Sequence, residues 1–451
     1  MFKLFEFAFT NTWNRLAGAC SPKLEGGLLL GYLVMDERVT RNPYFLPTQS
    51  RLRHIVIQGK TGSGKSFSIL TIAFHDVDVA RGFALFDLHG DLIPPVLTYI
   101  AQTHPEYAAR LILIDPADPV HAVGLNPLEV ADDYSRFREV AEITRSLADR
   151  WDFKGARTEE LLRNTLFALS ANGLTILEAA LFLSNDEYRQ KLLRKVANQD
   201  VLEYFGLRFN PLSDAMKSTM REPVLNKLSE FTADPHFRYI LGQRHSSFSF
   251  DEVLSEGKIV LVNLNKGRLG IHATTFGSLI LSKLKAAIFR RQKRHLFSVF
   301  ADEMQNLAAS DTDFEVLFSE ARKFGVGIVT ANQFSAQLPQ TMRSAVQAIG
   351  TRVFFQLSPE DAGFAAQELD GGKTMAERLR NLKPRHAYVK SGHYAAQEIV
   401  TPNLEIPNAP TGTLIQTSNS TYARLKTAID ADIRARRPKP ESSKEAIHDW
   451  D

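Results

Sequence analysis

Only one cysteine, Cys20, occurs in the 451 residues. No internal disulfide can form and no cysteine cluster is available for zinc, which suits a reducing cytosol. Long apolar runs are missing too: the longest uncharged apolar stretch, residues 26–35, falls well short of the ~20 residues a membrane-spanning helix needs. The start lacks the basic region, apolar core and small-residue cleavage site of an export signal. The expectation is a chain without an integral membrane segment, acting in the cytoplasm or peripherally at the inner face of the cell membrane. An excess of one charge sign is lacking as well. A net charge of +3 with 23% charged residues neither demands nor forbids an anionic partner, so charge has to be argued locally. No internal repeat with a period of roughly 20 to 50 residues is visible.

With 44% hydrophobic residues the composition is that of a globular protein, and the length suits a large α/β domain plus a second unit. Short β-rich runs recur, each followed by a helical stretch: Ile55 to Gln58, Phe83 to Asp87, Leu111 to Asp115, Ile259 to Leu264, Leu296 to Ala301, Ile328 to Ala331 and Val353 to Gln356. This alternation predicts a parallel sheet flanked by helices on both faces. Between about Asp132 and Glu256 the pattern becomes almost wholly helical. There Thr175 to Glu178 and Ser184 to Glu187 have the form of capping boxes, and Leu161, Leu162, Thr165, Leu166 and Leu169 mark one apolar helix face.

The expected organisation is thus an N-terminal segment 1–50, an α/β core in two pieces at 51–131 and 257–408, an all-α insertion at 132–256, and a tail at 409–451. Within the tail, Arg434 to Glu445 is charged, bears prolines and has no apolar period, so the tail reads as partly disordered. The aromatic-rich start, Met1 to Phe9, alternates like a strand and also fits an amphipathic helix; packing on the protein's own body is preferred to docking on a membrane or partner.

The segment His54 to Ser66 is the most informative. It sets G-x-x-x-x-G-K-S directly after a β-branched run, which is a strand, a phosphate loop and a helix start. Gly59, Gly62 and Gly64 let the backbone turn its amides inward around a polyphosphate. Lys65 can reach the β and γ phosphates, and Ser66 can ligate Mg²⁺. The nucleotide-binding set is Gly59, Lys60, Thr61, Gly62, Ser63, Gly64, Lys65, Ser66 and Phe67, with ATP and Mg²⁺ as ligands.

Such a loop needs an acid, and Leu296 to Glu303 places Asp302 and Glu303 at the tip of a hydrophobic strand. Asp302 is the expected Mg²⁺ holder and Glu303 the expected base for the attacking water. An Asp–Glu pair alone fits a solvated loop; beside a phosphate loop it points to hydrolysis. Further on, Gln333 ends another short strand as a candidate sensor of the γ phosphate. Arg322 is a candidate finger inserted into a neighbouring subunit's nucleotide. Taken singly, each also fits a structural role, Arg322 as a cation near a helix C-terminus and Gln333 as a strand-end cap.

These residues carry a family resemblance. The chain resembles the conjugative coupling ATPases of type IV secretion, the TraG/TraD-like branch of the FtsK and HerA superfamily of ring-shaped pumps. The matching marks are Phe86-Asp-Leu-His-Gly-Asp-Leu92, Gly124-Leu-Asn-Pro-Leu-Glu129, Ala301-Asp-Glu-Met-Gln-Asn306, Ala321-Arg-Lys-Phe-Gly325, Thr330-Ala-Asn-Gln333, Gly350-Thr-Arg-Val-Phe-Phe355 and Pro359-Glu-Asp-Ala362, in the family's order from about residue 50 to 390. The resemblance implies a RecA-like P-loop fold with an inserted all-α domain. It also implies that Arg322 acts in trans and that Gln333, eleven residues later, senses nucleotide. Catalysis would then rest on Lys65, Glu303, Arg322 in trans and Gln333, with Ser66 and Asp302 on the metal. One departure stands out, since family members usually begin with two membrane-spanning helices and this chain shows none.

What the resemblance implies is a homo-hexameric ATPase that translocates DNA, held by its phosphates with little reading of sequence. A relaxase or secretion-channel components are further candidate partners. A substrate-docking or protein-translocating ATPase and a HerA-like NTPase in DNA processing or defence are the alternatives. The densest basic run of the core is Lys283, Lys285, Arg290, Arg291, Lys293 and Arg294, which fits either a DNA-facing patch or a solvated helix end. His89 fits a nucleotide contact, a subunit contact or a structural histidine, and Arg352 a second trans cation or an internal salt bridge.

Overall fold

The computed structural model describes residues 27–151, 155–307, 311–333, 346 and 348–437. The aromatic-rich start, Cys20 and the chain beyond residue 437 lie outside them. Thirteen strands occur among the described residues: β1 (Gly27–Met35), β2 (Arg38–Pro47), β3 (Ile55–Gln58), β4 (Phe83–Asp87), β5 (Leu111–Ile114), β6 (His121–Val123), β7 (Ile259–Asn263), β8 (Phe297–Asp302), β9 (Val326–Asn332), β10 (Thr351–Phe354), β11 (His386–Ser391), β12 (Gln397–Val400) and β13 (Ala423–Leu425).

Eleven of these form one sheet in the order β2-β1-β12-β11-β10-β3-β9-β8-β4-β7-β5. Each of the seven runs expected from the sequence becomes a strand of its parallel half, from β10 to β5. Their near-continuous Val, Ile, Leu and Phe content follows from burial on both faces; β3, β4, β5 and β8 are buried along their full length. The other half, β11, β12, β1 and β2, is antiparallel and was not foreseen as strands. β2 ends the sheet and carries Pro43 and Pro47, which an edge strand tolerates because one side of its ladder needs no donor.

Helices cover both faces. The phosphate-loop helix Lys65–Asp78 and helix Ile93–Thr103 pack with Ile57, Leu85 and Phe300 on one side. On the other, the long helix His272–Arg290 and the helical segment after β6 pack with Val56, Phe86 and Val299 in a single continuous core. From Asp133 to Glu256 every described element is helical. Leu161, Leu162, Thr165, Leu166 and Leu169 are all buried on helix Ala156–Ala171, as their spacing predicts. Thr175 and Glu178 close the expected capping box. At the next helix the cap falls one residue later than the pattern suggested: Asn185, not Ser184, accepts the Tyr188 amide at 2.8 Å.

Part of the tail is ordered. Helix Gly412–Tyr422 runs over β5, β13 pairs antiparallel with β6, and helix Lys426–Ala435 reaches the helical block. Leu414, Tyr422, Ile429 and Ile433 are buried, and the Ser418 hydroxyl accepts the Leu113 amide at 3.3 Å at the outer edge of β5. The tail is charged overall, but its apolar residues recur at spacings that short windows of composition conceal.

Candidate nucleotide site

The loop after β3 is shaped by close approach. A β-carbon on Gly59 would sit 2.6 Å from Ser63 Oγ and 2.7 Å from Phe355 Cβ, so only glycine fits there. Gly64 caps the following helix at φ 124°, a conformation that L side chains rarely adopt. The helix begins at Lys65, so its first unpaired amides and positive dipole end face the loop. Lys65 is buried, and its Nζ donates to the carbonyls of Gly59 at 2.7 Å and Lys60 at 3.0 Å. Burial lowers the Lys65 pKa, while Asp302 and Glu303 oppose that shift. Ser63 folds its hydroxyl onto the Lys60 carbonyl at 2.7 Å, whereas Phe67 is 47% exposed on the first helical turn.

Two neighbouring strands bring the remaining groups to this edge. β9 lies between β3 and β8, so the ends of the loop strand, the sensor strand and the acid strand are consecutive along one sheet edge. Asp302 closes β8 and is buried, with no hydrogen bond or ion pair to its carboxyl among the described residues. Burial pushes its pKa up to about 6; His89 and Lys65 pull against this, and Glu303 and Asp91 add to it. A buried carboxyl so placed, beside a lysine and the N-terminus of helix Lys65–Asp78, fits a divalent cation on a polyphosphate.

Glu303 is in the left-handed region at φ 53°, which costs a non-glycine residue roughly 1 kcal/mol and is found where the surroundings over-determine it. Its amide donates to the Ala331 carbonyl at 2.8 Å, and its Oε2 accepts from Asn306 Nδ2 at 2.9 Å. Gln333 follows β9 and its Oε1 accepts from the Thr61 hydroxyl at 3.3 Å. Lys65, Asp302, Glu303 and Gln333 thus share one site, together with the loop residues and Ser66.

Arg322 is not in that group. It lies in the turn Ala321–Phe324 before β9, whereas Gln333 lies after it. Seven residues of extended chain separate the two edges of the sheet, about 20 Å at ~3.3 Å per residue. Arg322 is exposed, and its guanidinium makes no hydrogen bond or ion pair among the described residues. Its neighbour His54 is buried at φ 66°. His54 Nδ1 accepts the Ile328 amide at 3.0 Å and Nε2 donates to the Phe318 carbonyl at 2.7 Å. Burial holds His54 at about 4, with Phe318 opposing and Arg322 reinforcing the shift.

Asp87 and Arg352 have partners within the chain. Asp87 accepts four backbone amides, from His89, Gly90, Leu92 and Ile93, at 2.7–3.2 Å, and so builds the turn that carries His89. His89 is exposed and close enough to Asp302 to lower its pKa. Arg352 pairs with Glu368 at 2.7 Å within its own chain.

The basic run is mostly internal rather than DNA-facing. Lys283 and Arg290 grip Glu139 at 2.9 and 2.5 Å, and Lys285 lies 3.9 Å from Glu142. Arg291 donates to the carbonyls of Phe324, Gly325 and Leu254. Charge patterning cannot distinguish a binding patch from a clamp whose acidic partners lie some 150 positions away. Asn306 and His54 lie inside the segments Ala301 to Asn306 and His54 to Ser66, but the sequence assigns neither a role, because their partners are set by the fold.

The model of the type IV secretion-system coupling protein DNA-binding domain matches residues 44–383. The plasmid coupling protein TrwB in complex with ADP and Mg²⁺ superposes at a TM-score of 0.58 with 15% identity, covering 85% of this chain and 97% of that one. VirB4 of Thermoanaerobacter pseudethanolicus gives 0.55 with 12% identity over 84% and 97%. The DNA double-strand break repair helicase HerA of Sulfolobus acidocaldarius is 22% identical over 355 residues, 75% of this chain. The chain spans about 62% of the length of that helicase.

Proposed function

The chain belongs to the family of the type IV secretion-system coupling protein DNA-binding domain, and we propose that it is an ATP-hydrolysing motor that translocates DNA, with each active site completed between subunits of a homo-hexameric ring. The observation that carries this reading is the split of the site. Lys65, Asp302, Glu303 and Gln333 converge at one sheet edge, and Arg322 stands exposed at the other. Within one subunit Arg322 has no route to the phosphates; across a ring interface it has one.

In this mechanism the loop amides and the N-terminus of helix Lys65–Asp78 hold the polyphosphate. Lys65 leaves the carbonyls of Gly59 and Lys60 for the phosphate oxygens. Ser66 and Asp302 would hold Mg²⁺, which when bound spreads the negative charge of the phosphates. Glu303 takes the proton of the attacking water, Gln333 orients that water against the γ phosphate, and the neighbour's Arg322 neutralises charge as the bond breaks. The relatives named for coupling DNA to secretion and for break repair favour DNA as the load, in conjugative transfer or a related cytoplasmic process. No helix among the described residues is long and apolar enough to cross a membrane.

The test is ATP hydrolysis with and without single- and double-stranded DNA, with oligomeric state measured in the same samples. Stimulation by DNA in a hexameric fraction, falling steeply with salt, is the expected result. Hydrolysis by a monomer at an unchanged rate would sink the shared-site reading.

A further inference from the structure

The turn that follows Glu303 is clamped from outside the α/β core. Asn306 donates to Glu303 Oε2 at 2.9 Å, so this bond holds one of the two carboxylate oxygens. The backbone carbonyl of Asn306 in turn accepts from Arg150 Nη2 at 2.6 Å. Arg150 is the last residue of helix Asp133–Arg150, the first helix of the helical block. Its Nε donates to Ser278 Oγ at 3.0 Å, and Ser278 donates to the Leu307 carbonyl at 2.7 Å. Gly277 makes this approach possible, since a β-carbon there would lie 2.6 Å from Leu307 Cδ2.

The same helix is anchored along its length. Glu139, buried on helix Asp133–Arg150, is gripped by Lys283 and Arg290 of helix His272–Arg290. A buried carboxylate held by two cations resists sliding, because moving away from them would leave its charge buried and unpaired. Helix Asp133–Arg150 therefore acts as a bar whose end rests on the catalytic turn. A charge-assisted bond from arginine to a backbone carbonyl is strong and directional enough to set where that turn lies.

We infer that Arg150 and Asn306 are positioning residues forming a relay, through which the helical block sets the orientation of the Glu303 carboxylate. The inference rests on the reading of Glu303 as the hydrolytic base. A load that shifts helix Asp133–Arg150 moves the Asn306 carbonyl, and Glu303 moves with the turn. Displacement of a reacting group by about 1 Å can cost on the order of a hundredfold in rate, so a small motion in the block is enough to gate hydrolysis. The helical block then governs ATP turnover without contributing any group to the nucleotide.

The test measures kcat, KM for ATP, binding of a fluorescent ATP analogue and thermal stability for the full chain. The variants are Glu303→Gln, Asn306→Ala, Arg150→Ala, Arg150→Lys and the double variant Arg150→Ala with Asn306→Ala. Asn306→Ala is expected to lower kcat about ten- to a hundredfold with KM and analogue affinity within about twofold of wild type. Arg150→Ala should lower kcat about tenfold and Arg150→Lys recover most of it, because one donor to the carbonyl is kept. In the double variant the losses should not multiply, since the two residues act in series. Independent losses that multiply, or losses of kcat that track a fall in stability and analogue binding, overturn the relay. If Glu303→Gln abolishes turnover and Asn306→Ala keeps it, the relay alone is wrong; if Glu303→Gln keeps turnover, the base assignment fails and the relay with it.

Discussion

Asp302 shows how function and stability oppose each other at a single residue. Its carboxyl titrates at about 6 because burial disfavours the charge. Since the folded state holds that proton more tightly than the unfolded chain, its stabilising effect is present at low pH and is lost as pH rises through 6. At neutral pH an ionised Asp302 destabilises the nucleotide-free protein by roughly 1–3 kcal/mol. Asp302→Asn should therefore raise Tm without nucleotide at pH 7.5 and abolish Mg²⁺-dependent hydrolysis; a lower Tm would contradict the burial argument. His54 has the opposite sign. The unfolded imidazole takes up a proton near 6.5 and the folded one only near 4, so stability is complete above pH 6.5 and declines as pH falls towards 4. Half-buried His75, also held at about 4 mainly by desolvation, adds to the decline. Denaturant midpoints measured across that range should fall less steeply for His54→Gln than for the wild type. The motif residues were legible from their order alone, because phosphate chemistry needs those groups at those spacings. His54 was not, since nothing local shows that its ring nitrogens serve Ile328 and Phe318, more than 260 positions away.

At the scale of elements, the seven parallel strands were readable because double burial writes itself as unbroken aliphatic runs such as Leu111–Ile114. The antiparallel half was not. Gln397–Val400 is four residues long, and Arg38–Pro47 contains prolines, so neither carries a strand signature of its own; pairing with distant partners makes them strands. The tail taught the same lesson. Gly412–Tyr422 and Lys426–Ala435 read as part of a charged end, yet they bury Leu414, Tyr422, Ile429 and Ile433 across the edge of β5 and the helical block. At ~1.5–3 kcal/mol for each buried side chain, ending the chain at residue 410 should cost about 5 kcal/mol or more. Such a chain should melt at a clearly lower temperature or be recovered insoluble; an unchanged Tm would show that the strap is dispensable.

For the whole molecule the decisive prediction concerns which subunit uses which arginine. Lys65→Ala removes the phosphate grip but leaves Arg322, and Arg322→Ala does the reverse. Each alone is expected to lose turnover by about a hundredfold or more, with nucleotide binding lost only in the first. Mixed after dissociation and reassembly, the two should regain activity, because an intact loop then meets a neighbour's intact finger. Mixtures as inactive as their components would mean that Arg322 does not act across the interface. The sequence by itself determined the phosphate chemistry, the parallel core and the helical interruption, since each follows from short-range pattern: glycine spacing, aliphatic runs, helix period. Only the tertiary structure decided that the basic run is a clamp, that the tail is a strap, and that Lys65 and Arg322 face opposite edges. Those outcomes depend on which distant groups meet, and no local pattern records that. The phosphate loop is legible from glycine spacing; that Arg322 stands at the opposite end of β9 from it is set by the direction in which β9 runs.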